Sequence, residues 1–259
     1  MNLWRSTPGL CEEIPTITPY VPERKTSRAA IVIFPGGGYA RRAEHEGKGY
    51  AEFFTQNGIT AFVVEYRVSP HRHPLPLLDA RRAVNLVRTQ AEEYGIDRDK
   101  IAVMGSSAGG HLAALTSTHR GALDFEGVDA REIADAIPNA QILCYPVICP
   151  PDPDLIAHVG SYRNLLGDER MEAEKYEVAP NLLADGSAPP AFIWHTANDA
   201  TVNVINSYRY ATVLRERNVS VEMHIFPDGK HGLGLAPGSP HVAQWTGLML
   251  SWLGDLGWR

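Results

Sequence analysis

The chain has 259 residues, 44% of them apolar and 21% charged, which is ordinary for a soluble protein and enough for one α/β domain spanning 1–259. A formal net charge of −6, with 24 Lys and Arg and no basic block, argues against nucleic acid or an anionic membrane surface as the main partner. No run approaches the ~20 apolar residues of a bilayer span. Met1-Asn2-Leu3-Trp4-Arg5 does not read as a signal peptide, so a cytoplasmic protein is expected. Cys11, Cys144 and Cys149, an odd set without metal spacing, are expected to be reduced and structural.

The first thirty residues carry Pro8, Pro15, Pro19 and Pro22 and read as short edge strands or a wrapping arm. Ala29-Ala30-Ile31-Val32-Ile33-Phe34 is a near-continuous apolar run, as in a strand buried on both faces. It opens into Pro35-Gly36-Gly37-Gly38-Tyr39, a loop that is either a plain flexible turn or a cradle aiming backbone N–H groups at an anion. No Gly-x-x-x-x-Gly-Lys-Ser/Thr follows, which argues against phosphate. His45 comes just after, either lining a pocket or anchoring the loop.

Residues 46–57 suggest a helix ended by Gly58, and 59–66 the next strand. His71-Arg72-His73-Pro74-Leu75-Pro76 is a proline-fixed connection; no third ligand makes a metal site of its histidines. A helix follows with Ala80, Ala83, Val84, Val87, Ala91 and Tyr94 near a period of 3.6, capped by Gly95.

Lys100-Ile101-Ala102-Val103-Met104 then leads into Gly105-Ser106-Ser107-Ala108-Gly109 and a further helix. A Gly-x-Ser-x-Gly between strand and helix presents the serine hydroxyl at the top of a sheet, and the glycines let backbone and helix approach closely. Ser107 is therefore the candidate nucleophile. The N–H of Ala108, with those of Gly37 and Gly38, would meet negative charge developing there. His111, one turn into the helix, reads as a packing residue.

Residues 141–145 read as a strand, after which the pattern is lost over 146–190 apart from a short helical stretch at 171–178. This insertion is either a lid or an irregular surface loop. Prolines separate Asp152 and Asp154 and no histidine sits at ligand spacing, so no metal is expected. Ala191-Phe192-Ile193-Trp194 is a strand that releases into His195-Thr196-Ala197-Asn198-Asp199. The next, 219–226, ends in Pro227-Asp228-Gly229-Lys230-His231-Gly232. Asp199 and His231 thus lie past strand ends, where ligands gather in parallel sheets. Ser107, Asp199 and His231 follow the order nucleophile, acid, base of such sheets; His195 precedes the acid and breaks it. Trp245, Leu248, Met249, Trp252, Leu253 and Leu256 mark a final helix. Strands alternating with helices imply a mainly parallel, doubly wound sheet with helices on both faces.

On Phe34-Pro35-Gly36-Gly37-Gly38-Tyr39, His45-Glu46-Gly47, Tyr66-Arg67, Gly105 to His111, Asp199 and His231-Gly232-Leu233, the chain resembles the α/β-hydrolases of the bacterial acetyl esterase and xylan esterase-like group. The resemblance implies Ser107 as nucleophile, Asp199 as acid and His231 as base, with no cofactor and an ester as small-molecule substrate. Tyr39 and His45 are its candidate substrate contacts. Pro35 stands where the hormone-sensitive-lipase-like branch has histidine, which sets the chain apart from that branch. The likeness favours acetyl esters, of sugars or oligosaccharides such as acetylated xylo-oligosaccharides. An amide hydrolase of peptidase or formamidase type, or a non-catalytic binding protein on the same fold, are the alternatives.

Overall fold

The computed structural model describes residues 1–9, 13–152 and 157–259; Cys11 and Asp154 lie outside them. In chain order its elements are β1 (Thr16–Tyr20), β2 (Ala30–Phe34), α1 (Glu44–Gln56), β3 (Thr60–Glu65), α2 (Leu75–Thr89), β4 (Ile101–Ser106), α3 (Ala108–Thr118) and β5 (Ala140–Cys144). The insertion then supplies α4 (Val159–Leu166), α5 (Asp168–Glu174) and α6 (Pro180–Leu183). The chain ends with β6 (Ala191–Thr196), α7 (Ile205–Glu216), β7 (Val221–Phe226), α8 (Pro240–Ala243) and α9 (Trp245–Asp255).

Seven strands form one sheet in the order β1-β3-β2-β4-β5-β6-β7. Only β1 is antiparallel, pairing Thr16 to Glu65 along the outer edge of β3. The edge strand and arm expected from the prolines are there, and the arm is bonded where Leu3 N–H reaches Pro15 O at 2.9 Å.

Apolar residues on both pleat faces account for the two layers of helices. Ala30, Val32 and Phe34 of β2 point into one core with Leu77, Val84, Leu112, Tyr210 and Leu214 of α2, α3 and α7. Ile31 and Ile33 point into the other with Tyr50, Phe54, Trp245 and Met249 of α1 and α9. The same period of two sends Phe192 and Trp194 toward α9, where the Trp194 and Trp245 rings stack at 5.0 Å.

Chain direction reverses at the middle of the sheet. From β2 the chain steps outward to β3, then crosses back over β2 to β4. Ligands in open α/β sheets bind outside the carboxyl ends of the two strands at such a reversal. Here those ends carry the triple-glycine loop after β2 and Ser107 after β4.

Two details differ from the sequence expectation. The helix expected to run to Gly95 ends at Thr89, because the chain tightens into turns that bond Tyr94 N–H to Gln90 O and Gly95 N–H to Glu92 O. Tyr94 is drawn out of the helical row and packs edge-on against Phe62, ring centroids 4.9 Å apart. Among the described residues the insertion also holds three helices, where one short stretch was expected.

A buried ion pair fixes the arm to the sheet. Arg67 and Asp79, both fully buried, pair in a fork: Nη2 to Oδ1 at 2.7 Å and Nε to Oδ2 at 2.8 Å. Asp79 also accepts from Trp4 Nε1 at 2.7 Å, and Arg67 Nη1 donates to Pro8 O at 2.7 Å. Asp79→Ala would strand the guanidinium in the core, so a loss of about 3–5 kcal/mol is expected in urea unfolding. A loss below about 1 kcal/mol would mean that Arg67 finds another partner.

Candidate active site

The turn after β4 is built around one strained residue. Ser107 sits at φ 54°, ψ −119°, a region that L side chains rarely adopt and that costs ~1–3 kcal/mol. Backbone bonds hold it there. Its N–H donates to Cys144 O at 3.0 Å, and its carbonyl accepts from Val147 N–H at 3.1 Å and His111 N–H at 3.0 Å. The turn is so tight that a Cβ at Gly105 would lie 2.1 Å from Gly109 O, and one at Gly109 2.0 Å from Phe34 O. Both flanking glycines of the motif are therefore required by packing.

The structure brings the three predicted residues together. Ser107 Oγ lies 2.9 Å from His231 Nε2, and His231 Nδ1 lies 2.6 Å from Asp199 Oδ2. Asp199 Oδ1 accepts the N–H groups of Thr201 at 2.8 Å and Val202 at 3.0 Å. Burial opposes ionisation of Asp199, but hydrogen bonds from His195, His231 and the Val202 N–H outweigh it. They hold the carboxyl well below the usual carboxylate range. A carboxylate only accepts, so His231 must carry its proton on Nδ1 and present a lone pair at Nε2 to the Ser107 hydroxyl.

His195 lies behind the acid, away from the serine. Fully buried, its Nε2 donates to Val202 O at 2.9 Å and lies 3.3 Å from Asp199 Oδ2, while Nδ1 accepts from Ser207 Oγ at 2.8 Å. It supports the Asp199 loop. The His231 loop is joined to that loop by Asn198, whose Oδ1 accepts Gly229 N–H at 2.9 Å and whose Nδ2 donates to Asp228 Oδ1 at 2.9 Å.

In the glycine loop, Gly36 N–H is taken by Glu46 Oε2 at 2.9 Å. The N–H groups of Gly37, Gly38 and Ala108 have no bonded acceptor among the described residues. Gly37 has φ 130°, and a Cβ there would lie 2.3 Å from Arg41 O, so the loop admits no side chain at this position.

Tyr39 does not face the site. Its φ of 58° turns the ring inward, where it is buried and its hydroxyl bonds His111 Nδ1 at 2.8 Å. The expectation of a substrate contact is corrected on that ground: Tyr39 pins the loop from below. His111 is the packing residue it was read to be, with Nε2 donating to Val178 O at 2.8 Å; burial pushes its pKa down to about 3, so it stays neutral. His45 is exposed, and its Nε2 donates to Gly232 O at 3.0 Å, which ties the start of α1 to the His231 loop.

The insertion, read as either a lid or a surface loop, is bonded to the glycine loop. Asn164 of α4 donates from Nδ2 to Gly38 O at 2.8 Å, and Ser161 Oγ lies 4.0 Å from where a Gly38 Cβ would stand. His158 caps α4 by accepting Ser161 N–H at Nδ1, 3.2 Å. The signal was present in Tyr162, Leu165 and Leu166, an i, i+3, i+4 triplet that buries against the core. His73 packs against His119, ring centroids 6.5 Å apart, and burial pushes it down to about 4. Cys144 and Cys149 are free and buried, their thiols pushed up to about 12 and 11 by burial. No described helix is long and apolar enough to cross a membrane.

Sheet order, strand-end loops and the strained serine turn define an α/β-hydrolase. The chain belongs to the BD-FAE family, whose model matches residues 18–214. It is 34% identical over 95% of its length to endo-1,4-beta-xylanase B of Butyrivibrio fibrisolvens, and 32% identical over 83% to acetylxylan esterase of Xylanibacter ruminicola. It spans 39% and 43% of the lengths of those two proteins. Its fold matches the acetyl ester-xyloside bifunctional hydrolase of Caldicellulosiruptor lactoaceticus at TM-score 0.91 and 39% identity, covering 100% of this chain and 96% of that one. Two of these relatives are named for the hydrolysis of acetyl esters.

Proposed function

We propose that this protein hydrolyses short-chain esters, acetyl above all, by a two-step acyl transfer from Ser107 to water. The observation that carries the proposal is the hydrogen-bonded line Ser107–His231–Asp199 beside unbonded backbone N–H groups. His231 Nε2 takes the Ser107 proton as Oγ bonds to the ester carbonyl carbon, and Asp199 stabilises the imidazolium. The N–H groups of Ala108 and of Gly37 or Gly38 hold the tetrahedral oxyanion, each such donor lowering the barrier by about 3–4 kcal/mol in serine hydrolases. Collapse breaks the bond to the alcohol, which leaves with the proton from His231. Water then attacks the acyl-enzyme under the same base, releasing the acid and restoring Ser107.

The acyl and alcohol parts are supported by kinship. Two relatives are named for acetyl esters, one of them for acetylxylan, which favours acetylated xylo-oligosaccharides. The test is release of acetate from p-nitrophenyl acetate and acetylated xylo-oligosaccharides, beside butyrate and octanoate esters and a peptide amide. Acetyl substrates are expected to exceed octanoate by about 10-fold or more in kcat/KM, the scale on which a pocket discriminates methylenes. A preference for octanoate would sink the short-acyl assignment. Cleavage of the amide alone would make it an amidase, and no turnover of any substrate would favour a binding protein.

A further inference from the structure

Behind the glycine loop lies a buried carboxylate that the acyl-transfer chemistry leaves unused. Glu46, in the first turn of α1, has a side chain only 4% exposed. A carboxylate removed from water is costly unless strong donors fill its oxygens. Here each oxygen serves a different loop. Oε2 accepts Gly36 N–H at 2.9 Å, at the root of the oxyanion loop. Oε1 accepts the Tyr145 hydroxyl at 2.7 Å. That hydroxyl in turn accepts Gly234 N–H at 3.0 Å, three residues beyond His231, and the Tyr145 ring meets the His231 ring edge-on at 5.0 Å.

We infer that Glu46 is a positioning residue that fixes the spacing between the oxyanion donors and His231, an inference that rests on the ester-hydrolase reading. The chain of contacts Gly36–Glu46–Tyr145–Gly234 joins the oxyanion loop to the loop that carries His231. It also reaches the nucleophile turn. Tyr50, one turn along α1, places its hydroxyl 2.8 Å from Ser106 Oγ and 3.4 Å from that of Tyr145. Tyr145 itself follows Cys144, whose carbonyl holds Ser107 N–H. His45 adds a second tie to the His231 loop through Gly232 O. None of these side chains is bonded to Ser107 Oγ, so Glu46 acts through the loops it joins.

The link needs an acceptor at both ends. Burial and the neighbouring Glu46 charge keep the Tyr145 hydroxyl protonated, so it can donate to Oε1 while accepting from Gly234. Glutamine has the same shape but one donor end. In one orientation its NH2 faces Gly36 N–H; in the other it faces Tyr145, whose proton must turn to the more distant Tyr50 hydroxyl, 3.4 Å away. Either way one of the two short links is weakened.

The experiment measures kcat and KM on p-nitrophenyl acetate for wild type, Glu46→Gln, Tyr145→Phe, the double variant and Ser107→Ala, with folding checked by near-UV circular dichroism. Each single link variant is expected to lower kcat about 10- to 100-fold with KM within about 2-fold, the cost of displaced reacting groups in a bound complex. The double variant is expected to match the worse single one, since both cut the same link. Folded variants with kcat within about 2-fold of wild type, or losses that multiply in the double variant, would overturn the inference. Tyr145→Phe, which keeps the carboxylate and its bond to Gly36, decides the matter if Glu46→Gln does not fold. Ser107→Ala as active as wild type would overturn the ester-hydrolase reading and this inference with it. An inactive Ser107→Ala beside an unaffected Glu46→Gln overturns the inference alone.

Discussion

Ser107→Ala is expected to lower kcat on p-nitrophenyl acetate by about 10⁶-fold, the loss seen when the serine of such a relay is removed. The residual rate, about 10³–10⁴ over water, would come from the N–H groups of Gly37, Gly38 and Ala108, which the substitution leaves in place. Folding is not expected to suffer, because the turn is held by backbone bonds to Cys144, Val147 and His111. Ser107→Gly makes the same point with a second sign. At φ 54°, ψ −119° glycine carries no Cβ strain, so this variant is expected to be equally inactive yet more stable, by about 1 kcal/mol. For a chain of this size that raises Tm by about 2–4 °C. Activity and stability moving in opposite directions marks a residue held in a strained state for its chemistry. Ser107→Ala retaining more than about 1% of kcat would place the nucleophile elsewhere.

The parts of the site that could be read from sequence are those that follow strands. A central parallel strand is a continuous apolar run with an abrupt polar end, so the loops carrying Gly37, Ser107 and Asp199 announce themselves, while His231 follows the half-buried edge strand β7, marked by its turn residues instead. Side-chain direction inside a loop has no such signature. The resemblance implies Tyr39 as a substrate contact, but its left-handed backbone turns the ring under the loop. Contacts between distant segments were equally silent. Glu46 and Tyr145 are 99 residues apart, and only the meeting of the α1 start with the β5 end brings them within 2.7 Å. The insertion was opaque because its prolines and acids mask two short turns of apolar periodicity in α4. Chain order favours His231 over His195 as the base, and the structure agrees in geometry: His195 lies in the buried strand β6 and is bonded to Val202 and Ser207.

Asp199→Asn is expected to lower kcat by about 10⁴-fold without disturbing the fold, through the wrong tautomer of His231. The loop dictates how asparagine would sit. Oδ1 of Asp199 accepts two backbone N–H groups, from Thr201 and Val202, and an amide NH2 facing them would oppose two donors. The asparagine carbonyl must therefore take the Oδ1 place, which leaves NH2 facing His231 Nδ1. That nitrogen then has to accept, so the proton moves to Nε2, the atom 2.9 Å from Ser107 Oγ. A protonated Nε2 cannot receive the serine proton, and attack stops. His195 reinforces the effect, since its Nε2–H stands 3.3 Å from Oδ2 and would also oppose the NH2. The same geometry bears on pH. Because the Asp199 carboxyl is held well below its usual range, it stays charged as the medium becomes mildly acidic, and its protonation does not set the acid limb of the wild-type rate. Raising the pH is expected to restore part of the Asp199→Asn activity, as hydroxide takes the serine proton that His231 can no longer accept. A variant with kcat within about 10-fold of wild type at neutral pH would mean that Asp199 does not set the tautomer.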